Sequence, residues 1–405
     1  MKILFLTDYF PPEASAAAAR TYEHCKEWLK LGADITVITG APNYPTGKVY
    51  QGYKNKLYFK EIIDGIKVVR VWTYTAANKG TIRRTLDYMS FGFSALIAGL
   101  FQKCDIVIGT SPPLFTAIAA KRLAYLKRKP MIMEVRDLWP ESIKAVGAVK
   151  DGLILKHYEE QEKRCYKRAD KIVCVTQGIR DRLIERGIPK NKVVVHTNGV
   201  NLDNFQPKEK NISLLNKLGL KDKIIVSYIG TLGMAHKLDF ILRAAQKVTN
   251  PDIHFLFIGG GAEKENLIKL KNELNLENVS ILSAIPREEV REYIASADIA
   301  LVNLKKSNLF LGALPSKIFE NVAMGKPLLL GLKGEAERVI DKYGAGLSFE
   351  PENEEDFLEK LEKLTKNKEF YKSCVKGCVK LAKDYERNFI AKQMLNTIGK
   401  TVEKN

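Results

Sequence analysis

Short apolar runs rich in β-branched residues alternate along this chain with longer segments whose apolar positions recur every three or four residues. The runs Lys2–Thr7, Ile35–Thr39, Val68–Trp72, Ile106–Gly109, Met131–Val135, Lys171–Thr176 and Val193–His196 are mostly continuous rather than alternating, which predicts parallel strands buried on both faces. Ala16–Leu31, Thr81–Gln102, Pro113–Lys127, Leu153–Arg168 and Gln177–Arg186 carry the helical period between them. After a break at Asn198-Gly199-Val200 through Pro207 the pattern restarts. Strands are predicted at Ile224–Ile229, His254–Ile258, Val279–Leu282, Ile299–Val302, Pro327–Leu330 and Gly346–Phe349. Helices are predicted at Asp239–Val248, Ala262–Asn272, Arg287–Ser296, Lys317–Met324 and Glu335–Asp341. A run of charged helices begins near Glu354. The expectation is an α/β protein of two Rossmann-like, doubly wound domains, residues 1–197 and 206–385, with a helix at about 386–405 packing back on the first. The domains are expected to face each other across a cleft, because such sheets bind ligands at their strands' carboxyl ends.

Composition agrees. At 405 residues, 45% of them hydrophobic, the chain can fill two cores. Cys25, Cys104, Cys165, Cys174, Cys374 and Cys378 are scattered, and the close pair Cys374 and Cys378 has no histidine partner. Neither a disulfide framework nor a metal site is expected, and a reducing cytoplasm is the default. Ile3–Leu6 is too short for a signal-peptide core. Nothing approaches the roughly 18–20 apolar residues of a membrane span; Met89–Phe101 comes nearest. Charge is uneven: residues 1–200 hold 33 lysines and arginines against 19 acids, so they carry +14 of the formal +18. A basic half suits membrane lipid, a polyanionic substrate or nucleic acid, although a merely lysine-rich chain is the plain alternative. No nucleic-acid module is recognisable, so nucleic acid is not an expected partner.

The densest chemistry lies in LPSKIFENVAMGKP, Leu314 to Pro327. A Pro-Ser-Lys entry leads into a short helix carrying Glu320. Amides at a helix start beside Ser316 and Lys317 suit a diphosphate, and a carboxylate one turn on suits a ribose diol. Gly230-Thr231-Leu232-Gly233 follows a strand and precedes a helix, as a phosphate-binding turn or an ordinary βα turn would. Gly259-Gly260-Gly261 does likewise, but position 264 is Lys, so the dinucleotide fingerprint is incomplete. It reads as a close-approach loop lining the nucleotide pocket. Ser283-Ala284-Ile285-Pro286 ends the next strand and offers backbone groups to a base edge, or simply starts a helix.

In the first half, Tyr9-Phe10-Pro11-Pro12-Glu13 leaves the first strand. The small residues Ala14 to Ala19 and then Arg20 follow. Thr110-Ser111-Pro112-Pro113 and Arg136-Asp137-Leu138-Trp139-Pro140-Glu141 end two further strands. Glu13, Arg20, Ser111, Arg136 and Asp137 are therefore candidates for an acceptor cleft. Asp137 suits the orienting of a sugar hydroxyl, with a helix N-cap or an ion pair to Arg136 as its alternative. Lys79, Arg83 and Arg84 precede an apolar, aromatic helix that suits either a membrane interface or a core. Of the five histidines only His236 adjoins these segments, and no Ser-His-Asp or Cys-His set assembles.

Taken together, Tyr-Phe-Pro-Pro-Glu, Arg-Asp-Leu-Trp-Pro-Glu, the Asn-Gly-Val joint, Gly-Thr-Leu-Gly and the Pro-Ser-Lys helix resemble glycosyltransferase family 4, a retaining family of GT-B fold. The resemblance covers nearly the whole chain. It is nearest to the bacterial subgroup of O-antigen, capsule and colanic-acid transferases, including those for N-acetyl-L-fucosamine. It implies a UDP-sugar donor, a polyprenyl-diphosphate-linked or other glycan acceptor, no cofactor and no metal. It also implies a cytoplasmic enzyme peripheral to an anionic membrane surface. Glu320 would bind ribose, and Lys317, Ser316 and Gly233 the diphosphate. Ile285 would face uracil, and Gly230, Thr231, Leu232, Gly260 and Leu314 would line the same pocket. Asp137, Lys317 and Glu320 would be the catalytic set. The chain departs from the pattern at Gly312, where the family has the first of two acids, at Thr231, where it has Arg, and at Arg136, where it has His. The rivals are a UDP-N-acetylglucosamine 2-epimerase-like enzyme, an NAD-dependent oxidoreductase and a non-catalytic nucleotide-sugar-binding subunit.

Overall fold

The apolar runs become two sheets. The computed structural model describes residues 1–13, 15–77, 81–141 and 152–404; Ala14 and Lys79 lie outside them. The first sheet comprises β1 (Lys2–Leu6), β2 (Asp34–Gly40), β3 (Tyr58–Ile63), β4 (Ile66–Val71), β5 (Ile106–Ser111), β6 (Met131–Val135), β7 (Lys171–Cys174) and β8 (Val193–Val195). Its order is β3-β4-β2-β1-β5-β6-β7-β8, parallel throughout except for β3. The second sheet comprises β9 (Ile224–Ile229), β10 (Ile253–Ile258), β11 (Val279–Leu282), β12 (Ile299–Asn303), β13 (Leu328–Gly331) and β14 (Gly346–Ser348). Its order is β11-β10-β9-β12-β13-β14, and all pairs are parallel.

Met1–Thr197 with Arg387–Asn405 forms one unit, and Asn198–Glu386 forms the other. The first is covered by α1 (Ala16–Lys30), α2 (Thr81–Leu100), α3 (Leu114–Leu126), α4 (Leu153–Arg168) and α5 (Gln177–Glu185). The second carries α6 (Ile212–Leu218), α7 (Leu238–Gln246), α8 (Lys264–Glu273), α9 (Arg287–Ser296), α10 (Lys317–Ala323), α11 (Glu335–Tyr343), α12 (Glu354–Lys366) and α13 (Lys368–Asp384). The last helix, α14 (Arg387–Glu403), belongs to the first unit, where Trp28 Nε1 donates to the Ala391 carbonyl at 2.8 Å.

β1 shows why the runs read as continuous. Leu4 and Leu6 enter the core beneath α2, α3 and α4, while Ile3 and Phe5 enter the core beneath α1 and α14. Both faces are covered, so alternation disappears. β3 was not anticipated. It is an edge strand on a hairpin turned by Asp64-Gly65, both at positive φ, and most of its side chains are exposed, so it carries no buried run. All six cysteines are buried free thiols.

Candidate functional site

Because the second sheet is parallel, the loops after β9, β10, β11 and β12 all leave its carboxyl edge. The strand order reverses between β9 and β12, which opens a crevice there. The first two loops are laced together. Gly230 N donates to the Ile258 carbonyl and Leu232 N to the Gly260 carbonyl, each at 2.9 Å, and Glu263 N donates to the Leu232 carbonyl at 3.0 Å. A Cβ on Gly259 would sit 1.8 Å from the Gly230 carbonyl oxygen. That glycine is therefore required for loop-to-loop approach rather than for approach to a ligand. Gly259→Ala should lower the thermal midpoint of unfolding by several degrees, about 1–3 kcal/mol of overpacking. Differential scanning fluorimetry reads it, and an unchanged midpoint would refute the lacing.

This corrects part of the sequence reading. The amides of Gly230 and Leu232 are engaged between loops, and the Leu232 side chain is core. The amides of Thr231 and Gly233 have no acceptor among the described residues. Gly260 is exposed on the neighbouring loop. Ile285 has its side chain half-buried against the core formed by Leu256 and Ile258. Leu314 is buried beneath the start of α10, and the Ser316 hydroxyl does not cap that helix.

Lys317, the first residue of α10, reaches from the β12 side of the crevice to the β9 side. Its Nζ lies 3.7 Å from the centroid of the Tyr228 ring, and a Cβ on Gly230 would come within 2.8 Å of it. The Nζ is buried and has no hydrogen-bond partner among the described residues. Burial lowers its pKa to about 7, opposed by Glu320. An ammonium with three donors and no acceptor is unfavourable unless an anion arrives, so the aromatic face holds it in waiting. Tyr228 is fixed by its own hydroxyl, which donates to the Thr231 carbonyl at 2.7 Å. His236 packs edge-on against the same ring at 5.7 Å, with Nδ1 3.3 Å from the Asn303 carbonyl. Burial, and then Lys317, push its pKa down to about 4, so it is neutral. Asn303 donates from Nδ2 to the His236 carbonyl at 2.8 Å, and its buried Oδ1 accepts nothing from the described residues. Glu320 stands one turn beyond Lys317, 3.5 Å from Arg287 Nη2. Tyr228 and Asn303 escaped the sequence reading. Each sits inside an apolar strand run, where only its polar atom hints at a site.

In the first unit the strand order reverses between β1 and β5. Two candidates there are structural. Glu13 is buried and accepts from the amides of Phe10 at 3.3 Å and of Asn43 and Tyr44 at 2.9 Å, so it ties the loop after β1 to the loop after β2. Arg20 is buried, paired with Glu134 at 2.9 Å, and donates to the carbonyls of Thr197 at 2.7 Å and His196 at 2.9 Å. Neither side chain is presented to an acceptor. Ser111 is also buried, and its carbonyl accepts from Arg136 N at 2.8 Å. Arg136 donates from Nη2 to the Pro112 carbonyl at 2.8 Å, while its buried Nε and Nη1 have no partner among the described residues. Asp137, next along, is exposed.

Beside them is a pocket lined by Asp8, Tyr9, Tyr44, Arg84, Asp87 and Tyr88, among others. Burial, then Asp87 and Glu13, hold the Asp8 carboxyl well above the usual range. Burial pushes Asp87 up to about 7. The cavity is about 20 Å³, room for about one water rather than a sugar, and Asp87 is only partly protonated at neutral pH. Position alone could have flagged Asp8, in the loop just after β1; Asp87 is one polar residue on an apolar helix.

Comparison with known proteins agrees over most of the chain. The family described as Glycosyl transferases group 1 matches residues 211–378, and Glycosyltransferase Family 4 matches residues 17–204. The chain is 26% identical over 369 residues to the putative colanic acid biosynthesis glycosyl transferase WcaI of Escherichia coli K12, covering 88% of this chain and 90% of that one. It is 25% identical over 268 residues to the probable glycosyltransferase WbjE of Pseudomonas aeruginosa, covering 65% and 67%. In structure it is similar to Anabaena HepE solved with UDP-glucose, with a TM-score of 0.75 at 15% identity over 99% of this chain and 100% of that one. Sucrose-phosphate synthase of Thermosynechococcus elongatus superposes with a TM-score of 0.77 at 14% identity, over the full length of both. The fold is GT-B, and the chain belongs to glycosyltransferase family 4.

Proposed function

We propose that this glycosyltransferase moves a sugar from a UDP-sugar to a polyprenyl-diphosphate-linked glycan, with retention at the anomeric carbon, in the assembly of a surface polysaccharide. The observation that carries the reading is the Lys317 ammonium, buried, without a hydrogen-bond partner among the described residues and held over Tyr228 at the strand-order reversal of the second unit. A diphosphate is the anion that would satisfy it, together with the amides of Thr231 and Gly233. Glu320 would take the ribose diol. The names of WcaI and WbjE and the nucleotide bound to HepE support the same reading.

The chemistry follows from the charges. The bond between the anomeric carbon and the diphosphate oxygen breaks, and negative charge grows on the leaving group. Lys317 and the loop amides would stabilise it more than they stabilise the bound donor. The acceptor oxygen bonds to the anomeric carbon on the face the diphosphate leaves, and its proton passes to a diphosphate oxygen. No enzymic nucleophile and no metal is needed for that balance. Asp137 would orient the acceptor hydroxyl.

A thermal-shift titration against UDP, GDP, ADP, TDP and NAD tests the donor. UDP alone should raise the melting temperature, by about 2.7 kcal/mol of linkage at a hundredfold excess over Kd. A rise with NAD, or none at all, would sink the proposal. Gly312 in place of the family's first acid favours one second reading, a subunit that binds UDP-sugar without transferring it. Slow donor hydrolysis by the purified protein would exclude that reading.

A further inference from the structure

β9 and β12 flank the crevice of the second unit, and their ladder stops short of its mouth. Ile299 pairs with Val226 and Ala300 with Ser227, and among the described residues no further pair joins the two strands. On its other side β12 runs on beside β13 as far as Asn303 opposite Gly331. The flank toward β9 is therefore unpaired from Leu301 to Asn303, and this is the gap that Lys317 reaches across to Tyr228.

Asn303 spans the gap with its side chain, which is buried. Its Nδ2 donates to the His236 carbonyl at 2.8 Å and to the Lys237 carbonyl at 3.4 Å. The main chain adds two ties. His236 Nδ1 donates to the Asn303 carbonyl at 3.3 Å, and Lys305 N donates to the Ala235 carbonyl at 2.9 Å. The turn held in this way is one that needs holding. Lys237 sits at φ +47°, a left-handed conformation that is unfavourable for a residue with a Cβ and persists where the surroundings fix it. No side chain caps α7, which starts directly behind it. Room for the carboxamide comes from Gly331, where a Cβ would lie 1.9 Å from Asn303 Oδ1. That Oδ1 accepts nothing from the described residues. A buried acceptor left unpaired is a cost that a leucine of similar size would not carry. What the carboxamide supplies beyond a leucine is its donations to the turn.

We propose that Asn303 is a positioning residue for the diphosphate site, clasping the turn after β9 to the end of β12 where the two strands no longer pair. It acts on both walls of the site. The clasped turn presents the amides of Thr231 and Gly233, which have no acceptor among the described residues. The same turn sets the His236 ring edge-on against Tyr228, and Tyr228 carries the Lys317 ammonium on its face. Donors fixed before the anion arrives need no reorganisation when it does, which is what a side chain acting through backbone carbonyls can provide. The inference rests on the reading of Lys317 as the diphosphate anchor.

The test is calorimetric titration of UDP and of inorganic pyrophosphate into the full-length wild type, Asn303→Leu and Asn303→Asp, at pH values on both sides of 7. Both substitutions keep the size of the side chain and remove its donors, so either carries the test if the other does not fold. Each should weaken both ligands by about tenfold or more. Each should also move the pH at which affinity falls upward from the wild-type value near 7, because a loosened turn lets water reach Lys317. A loss of global stability alone would leave that pH where it is. Folded variants that bind both anions as tightly as the wild type, or bind them weakly with the pH dependence unmoved, would overturn the inference and leave the donor reading standing. A wild type that binds neither anion would sink the donor reading and this inference with it.

Discussion

Lys317→Met should lower kcat/KM for the donor by about two to three orders of magnitude, about 3–4 kcal/mol of transition-state stabilisation. The loss should fall mainly on kcat, because the ammonium meets charge that grows as the diphosphate leaves. Glu320→Ala should cost about tenfold, mostly in KM, since a ribose contact is the same in the ground and transition states. Lys317 also predicts a pH signature. With its pKa lowered to about 7 in the free protein, the amine is largely neutral at pH 8, and binding an anion must return a proton to it. UDP should therefore bind more weakly as pH rises above 7, with proton uptake measurable by titration calorimetry in buffers of different ionisation enthalpy. The stability of the unliganded protein should move the opposite way. Between about 7 and the unfolded lysine value near 10.4, the unfolded chain holds a proton that the folded one lacks, so this group makes stability rise with pH across that window. Lys317→Met should abolish both slopes. A variant with full activity, or a UDP affinity whose pH dependence survives the substitution, would remove Lys317 from the site.

Much of this arrangement is legible in the chain, and the reason is geometric. A parallel strand buried on both faces leaves a continuous apolar run, and the βα turn after it is where the sheet presents its chemistry. Gly230, Lys317 and Glu320 could be named because they stand at such turns. Partnership is what the sequence leaves open. Glu13 and Arg20 look like cleft residues by position, yet both are held inside the fold by backbone groups far along the chain: Asn43 and Tyr44 for one, His196 and Thr197 for the other. No local pattern encodes those contacts. The same holds for Leu232, whose amide is engaged by a carbonyl on another loop, and for Asp87, whose raised pKa depends on burial beside Glu13. The family pattern supplied roles for residues at turns and said nothing of which were already satisfied.

Arg20 turns that distinction into a measurement. Its guanidinium and the Glu134 carboxylate are almost fully buried, and Glu134 Oε2 has no other partner among the described residues. Arg20→Met should leave that carboxylate uncompensated, at about 3–5 kcal/mol, whereas an exposed ion pair would be worth under about 1 kcal/mol. It also removes the donors that hold the carbonyls of His196 and Thr197, the last residues of the first unit before the chain leaves it. Glu134→Leu added to Arg20→Met removes the stranded charge and should recover a large part of the loss, since two apolar groups of similar volume replace a buried pair at little net cost. Urea denaturation of both variants reads the difference. If Arg20 instead gripped the acceptor, Arg20→Met would unfold at the wild-type midpoint and raise the acceptor KM. The structure predicts the reverse, a large loss of stability with an unchanged acceptor KM at temperatures where the variant is folded.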